Sequence, residues 1–263
     1  MKSMQVKGSA NGMWQQVVSR SRSTTKKVMW GVGAVLTLGM VSCDKTDDGI
    51  GPNFSYVGDF NKGTENWEAG ITDYGTEQES IMEFSSKIAA LPTDSLKKGF
   101  MLTSSNRSDD AFMYMKRKLT GLEPNQTYTI NFEVQLASQY PETGVGIGGS
   151  PGGSVFLKAG AAGTEPQKVK DSTNVNHWVL NWDKGSQNNS GKNAILLGNI
   201  GIEGSDYKYR IIKRNNDKTP FSAKTNDKGE LWILVGTDSG FEGVTTLYYT
   251  QVKVVLLKAT GTI

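Results

Sequence analysis

Thr127-Tyr-Thr-Ile-Asn-Phe-Glu-Val-Gln-Leu136 is the stretch on which the fold turns. Tyr128, Ile130, Phe132, Val134 and Leu136 alternate with Thr127, Thr129, Asn131, Glu133 and Gln135. Successive side chains of an extended strand point to opposite faces, so this period of two predicts a strand with one buried and one solvated face. Leu122-Glu-Pro-Asn125 just before it supplies a turn, because Pro and Asn suit the dihedrals of a chain reversal. Similar short runs recur at residues 81–84, 100–103, 112–116, 154–158, 178–182, 194–197, 207–212, 231–235 and 247–256. Turn clusters such as Asn226-Asp-Lys-Gly229 separate them, and nearly all lack the length and caps of a helix. Many short strands without helices predict an all-β fold, a two-sheet antiparallel β-sandwich of jelly-roll type.

The N-terminal end has a different grammar. Arg20, Arg22, Lys26 and Lys27 lead into an apolar run over residues 28–41, followed by small Ser42 and by Cys43, the only cysteine of the chain. This order resembles a bacterial lipoprotein signal, with Met40 where such signals usually carry Leu. The resemblance implies that residues 1–42 are removed, that Cys43 carries lipid, and that residues 43–53 form a flexible tether before one domain over 54–263. The apolar run has 14 residues and contains Gly31, Gly33 and Gly39. It is shorter than the roughly 20 residues a spanning helix needs. An uncleaved anchor and an ordinary cleaved signal stay open beside the lipoprotein reading, and Met4 or Met13 stay open as starts. Lys45-Thr-Asp-Asp48 resembles the acidic export tags of Bacteroidetes surface lipoproteins; a plain solvated linker is the other reading. The expected location is the cell envelope, lipid-anchored in the outer membrane, with the leaflet and surface exposure left open.

The leader also distorts the charge. The whole chain of 263 residues has a formal net charge of +3, but residues 1–42 hold six basic residues and no acidic one. Residues 43–263 keep 23 basic against 26 acidic residues, a net of −3. A mildly acidic body offers no electrostatic footing for nucleic acid. With Cys43 lipidated, disulfides and cysteine-based zinc sites are excluded, and the single His177 excludes a multi-histidine metal centre.

Gly144-Val-Gly-Ile-Gly-Gly149 satisfies G-x-G-x-x-G, yet Ser150-Pro-Gly-Gly153 comes next where a dinucleotide site needs a helix, so it reads as a loop between strands. Residues 185–192 miss the phosphate-loop spacing. No Gly-x-Ser-x-Gly elbow accompanies His177, which reads as a strand-surface residue, and no cofactor is called for. Asp109-Asp110 lies in a polar turn and reads as solvated or metal-binding. Trp178, Leu180 and Trp182 share one strand face and read as core, as does Trp232. Trp67 and Tyr74 sit near glycine-rich turns and are freer to face a ligand. Residues 181–191 and 236–243 carry more hydrogen-bonding side chains than hairpins require, notably Asp183, Gln187, Asp238 and Ser239, while Lys158 and Glu165 flank another glycine-rich connection. Sugars present apolar faces to aromatic rings and hydroxyls to such polar groups. Candidate ligand-binding residues are therefore Trp67, Tyr74, Lys158, Glu165, Asp183, Gln187, Asp238 and Ser239.

A family likeness rests on Phe54, Asp59-Phe60, Asn66-Trp67, the Gly121-Leu-x-Pro-Asn-x-Thr-Tyr128 turn into a long alternating strand, and the closing Thr245-Thr-Leu-Tyr-Tyr249 and Val252-Lys-Val254. This plan resembles carbohydrate-binding modules with a galactose-binding-like jelly roll, over most of residues 54–258. The resemblance implies a glycan ligand and no catalysis. That group often carries an Asp after the aromatic pair that helps a structural calcium; Thr250 and Gln251 stand there, which speaks against carrying the calcium over. Residues 144–165, 181–198 and 236–249 also resemble a bacterial family of hypothetical proteins. Two other functions stay open: an assembly lipoprotein contacting another envelope protein, and a polysaccharide hydrolase or lyase.

Overall fold

The computed structural model describes residues 54–259, so the expected signal, Cys43 and the expected tether lie outside the described residues. The described strands run in chain order as β1 Phe54–Asp59, β2 Glu68–Thr72, β3 Tyr74–Gly75, β4 Ser85–Leu91, β5 Asp94–Ser105, β6 Ala111–Leu119, β7 Thr127–Ser138 and β8 Val155–Ala162. They continue as β9 Lys168–Lys170, β10 His177–Leu180, β11 Ala194–Asn199, β12 Arg210–Asn215, β13 Ser222–Lys224, β14 Leu231–Ser239 and β15 Val244–Lys258. A seven-stranded sheet has the order β12-β7-β15-β5-β4, with β1 also pairing β15 and β13 also pairing β7. A five-stranded sheet has the order β11-β8-β14-β6-β2. All of these strand pairs are antiparallel.

The two sheets meet through one core. Tyr128, Ile130, Phe132, Val134 and Leu136 of β7, the alternating apolar set, all lie in it, opposite Leu231, Ile233 and Val235 of β14 and Leu157 and Ala159 of β8. The domain is thus a two-sheet antiparallel β-sandwich of jelly-roll type. β15 is long enough to serve two partners on one edge, β5 along its first half and β1 along its second. A bulge at Thr250 marks the change.

The two outer faces differ. On the five-stranded sheet, Phe112, Tyr114 and Leu234 point away from the main core and are capped by Leu180 and Trp182. Beside them Ile71 and Ala111 pack with Tyr74 and Met82. The cover is a three-stranded sheet of order β3-β10-β9 together with the loop after β10. The core reading of Leu180 and Trp182 describes this second core, whereas Trp232 lies half-buried on the same outer face with Lys116 and Lys118 over its ring. Among the described residues nothing covers the seven-stranded sheet in this way: Asn131, Glu133 and Gln135 of β7 stay accessible.

Two expected strands shift. Residues 81–84 form the turn after a short 3-10 helix at Thr76–Gln78, not a strand. Ile81 is exposed while Met82 plugs the second core and its carbonyl accepts from Ser104 Oγ and the Ser105 N–H, which pins the turn. Residues 207–212 pair only from Arg210 onward, because Tyr207 lies beyond the end of β7 and packs edge-on against Tyr140.

Candidate functional site

The polar loops at 181–191 and 236–243 do meet, and the joint is buried. Period two along β14 aims Asp238 out of the main core, beside Lys158 of β8. Asp238 Oδ2 accepts from Lys158 Nζ at 2.9 Å, Lys184 Nζ at 2.9 Å and the Gln187 N–H at 3.0 Å. Lys158 Nζ also donates to the carbonyls of Lys184 and Asn189, at 2.9 and 3.0 Å, so its three protons are spent on closing the loop against the sheet. Lys184 Nζ reaches Asp73 Oδ2 at 3.5 Å, and Thr72 Oγ1 donates to the same carboxyl. Asp110 joins the group from the turn before β6: the pairing of Ala111 with Ser239 and of Phe112 with Asp238 sets it beside Asp238. Lys158 and Asp238 are wholly buried. Burial pushes the Lys158 ammonium down despite Asp238, whereas for Lys184 burial is outweighed by Asp73 and Asp238, which hold it up. Burial raises Asp73, with Asp238 adding to the rise and Lys184 opposing it.

The other expected site residues go elsewhere. Trp67 and Tyr74 are 3% and 0% exposed, so neither faces outward. Trp67 packs on Phe60 and donates its indole N–H to Tyr56; Tyr74 packs in the second core with Lys168 over its ring, the Lys168 ammonium bonded to its hydroxyl. Glu165 pairs with Lys116 at 2.5 Å. Asp183 folds its own loop, accepting from the N–H groups of Gly185 and Lys192, which hold its carboxyl below the usual range. Ser239 is buried and its hydroxyl donates to the Phe241 carbonyl. Sequence reading singled out Lys158, Gln187 and Asp238, which the fold does bring together. Asp73 lies outside its candidates because nothing local marks a carboxylate whose partners are 111 and 165 residues away.

Several openings among the described residues face solvent, and two of them flank polar surfaces of interest. At the end of the sandwich a polar groove of about 640 Å³ is lined by Gln78, Arg107, Asp109, Asn176, His177 and Glu242 among others. On the seven-stranded sheet a cleft of about 470 Å³ has Gln135, Thr250 and Gln251 as its floor and Ile211 on one side. Cross-strand register explains its chemistry. Ile211, Ala137, Tyr248, Met101 and Lys87 form one row across five strands, and Lys213, Gln135, Gln251 and Asp59 form the next. Tyr248 meets Tyr209 edge-on at 5.5 Å between centroids, giving an aromatic pair beside the amide floor. The opposite wall is the β4–β5 hairpin: a register shift after Ala90 turns Leu91 down over Gly99, where a Cβ would lie 2.8 Å from Leu91. Asp59 and Asp94 at this cleft are each held by a lysine three residues on, at 3.6 and 3.4 Å. The signal for this surface was present in the sequence as the polar face of Thr127–Leu136; what marks it as a site is that none of the described residues covers it. Among the described residues no group of three or more His, Cys, Asp or Glu is placed to hold a metal ion.

No protein-family profile matches the chain, and no curated protein matches it. Solved structures similar to it include the enzymatically active domain of tailspike protein 4 of bacteriophage CBA120, at 12% identity and TM-score 0.34, over 76% of this chain and 21% of that one. A carbohydrate-binding module of the β-sandwich superfamily is similar at 10% identity and TM-score 0.36, over 80% of this chain and 63% of that one. The family 11 carbohydrate-binding module of a cellulosomal cellulase of Clostridium thermocellum is similar at 11% and 0.34, over 78% and 95%. This chain thus spans about a fifth of the tailspike chain and under two thirds of the second structure. At such identities and TM-scores these likenesses carry nothing about ligand or activity, and the sandwich rests on the strand pairing described above.

Proposed function

We propose that this chain is an envelope lipoprotein, tethered through lipid on Cys43, whose sandwich binds a glycan on the outer face of the seven-stranded sheet without cleaving it. The carrying observation is the cleft, left open by the described residues, beside Tyr209 and Tyr248 and floored by Gln135, Thr250 and Gln251, on a domain whose other outer sheet face is filled. Amides and hydroxyls supply hydrogen bonds to sugar hydroxyls, and a tyrosine face packs against sugar C–H groups. Ion pairing of Asp59 and Asp94 within their own turns supports binding over acid–base chemistry, which needs a free carboxyl pair across the substrate.

A glycan array with the full-length chain tests the reading. Tyr248→Ala and Gln251→Ala each weaken retention by about tenfold, the scale of one lost packing or hydrogen-bond contact of about 1.4 kcal/mol. Binding unaffected by both, or no binding to any glycan, rules it out. A second reading, an assembly partner, is favoured by four exposed apolar side chains at one end of the sandwich: Val145, Ile147, Tyr207 and Val244. Co-purification of a stoichiometric envelope protein, lost on Ile147→Asp, selects that reading.

A further inference from the structure

The buried group around Asp238 is one carboxylate too many. With both ammoniums charged, Lys158 and Lys184 face Asp73, Asp110 and Asp238, a net of one negative charge. The donors are also unevenly spread: Asp238 Oδ2 takes three, while Asp238 Oδ1 is buried with no hydrogen-bond partner among the described residues. Asp110 Oδ1, from the turn before β6, is buried and partnerless as well. Strand register sets Asp110 beside Asp238, with a buried, donorless oxygen on each; such an oxygen is costly, and two neighbouring buried carboxylates favour holding one proton between them. We infer that a proton shared by Asp110 and Asp238 is a latch that closes the 106–110 turn and the 183–193 loop onto β14. In the closed form the Asp110 carboxyl O–H donates to Asp238, and the group is electrically neutral. Loss of that proton to bulk water leaves Asp110 facing Asp238 and Asp73 with only Lys184 and Lys158 to offset them.

The latch has something to move. Ser108 Oγ donates to the Asp73 carbonyl, Gln187 Nε2 reaches the Asp109 carbonyl at 3.4 Å, and Arg107, Ser108 and Asp109 line the groove at the end of the sandwich. Opening therefore reshapes that groove and not the sheet-face cleft. The pH window is set by Asp110, which burial first, and then Asp238, push up to about 7 from an ordinary 3.8. A carboxyl raised on folding stabilises fully at acid pH, and the contribution is lost as pH rises to about 7. Burial raises Asp73 too, so it leans the same way, while the raised Lys184 stays charged throughout.

Hydrogen–deuterium exchange on the full-length chain tests the latch, with rates corrected for intrinsic pH dependence. Protection of the segment containing the Gln187 N–H falls about tenfold to thirtyfold between about pH 5.5 and about pH 8.5, most of it below about pH 7. In Asp110→Asn, whose amide donates to Asp238 at every pH, the same segment keeps one level of protection across the range. Wild-type protection that stays flat, or an equal fall in Asp110→Asn, overturns the proposal. Independently of any variant, a carboxyl resonance of Asp110 that titrates near 7 supports it, and a midpoint below about 5 overturns it.

Discussion

Replacing Lys158 by methionine isolates the joint between loop and sheet. Lys158 is 0% exposed, and methionine fills nearly the same volume, so the change removes charge and donors with little loss of packing. Three bonds go: to Asp238 Oδ2 at 2.9 Å, to the Lys184 carbonyl at 2.9 Å and to the Asn189 carbonyl at 3.0 Å. Breaking a buried ion pair by removing one partner costs about 3–5 kcal/mol, and each orphaned acceptor adds about 1 kcal/mol where water does not reach it. Lys184 still neutralises part of Asp238, so the lower end, about 4 kcal/mol in all, is the expected loss. For a domain of this size that is a fall of about 8–16 °C in unfolding temperature. Scanning calorimetry of the full-length chain reads it, and Lys158→Met/Asp238→Leu recovers part of the loss because the uncompensated charge goes too. A fall under about 2 °C for the single variant refutes the view that this network carries the loop.

The packing sets three further outcomes. Trp182→Ala, in the second core, costs about 3–5 kcal/mol in denaturant unfolding; Trp182→Phe costs far less, since the indole N–H has no partner to lose. Gly148→Ala places a Cβ 2.0 Å from the Gly240 carbonyl at a φ of +70°, so the 144–149 loop must move; limited proteolysis then cuts there faster than in the wild type. Ile211→Ala opens one wall of the sheet-face cleft and shifts the unfolding temperature by under about 2 °C, because the side chain is 43% exposed.

Local pattern carried the strands whose two faces differ. Every apolar residue of Thr127–Leu136 is buried and every polar one is not, since alternation is a property of the backbone alone. The pattern failed at residues 81–84, where Met82 and Phe84 have the spacing of a strand but serve a turn plugged into the second core. It also failed for Trp67 and Tyr74: nearby glycines mark a turn but not which way a ring points, and both rings are buried. Asp183 and Asp238 looked alike in polar loops, yet one organises its own turn and the other is buried under it.

By itself, then, the sequence settled the fold class and the buried face of the central strands, because period two is written within a dozen residues. It also carries a local order of charge, apolarity and a lone cysteine that resembles a lipoprotein signal. Only the tertiary structure decided which sheet face is covered, and which polar residues share one buried charge group. Asp73, Asp110, Lys158, Lys184 and Asp238 come from five separate segments, and no local pattern encodes a contact made only when two sheets and a loop close together.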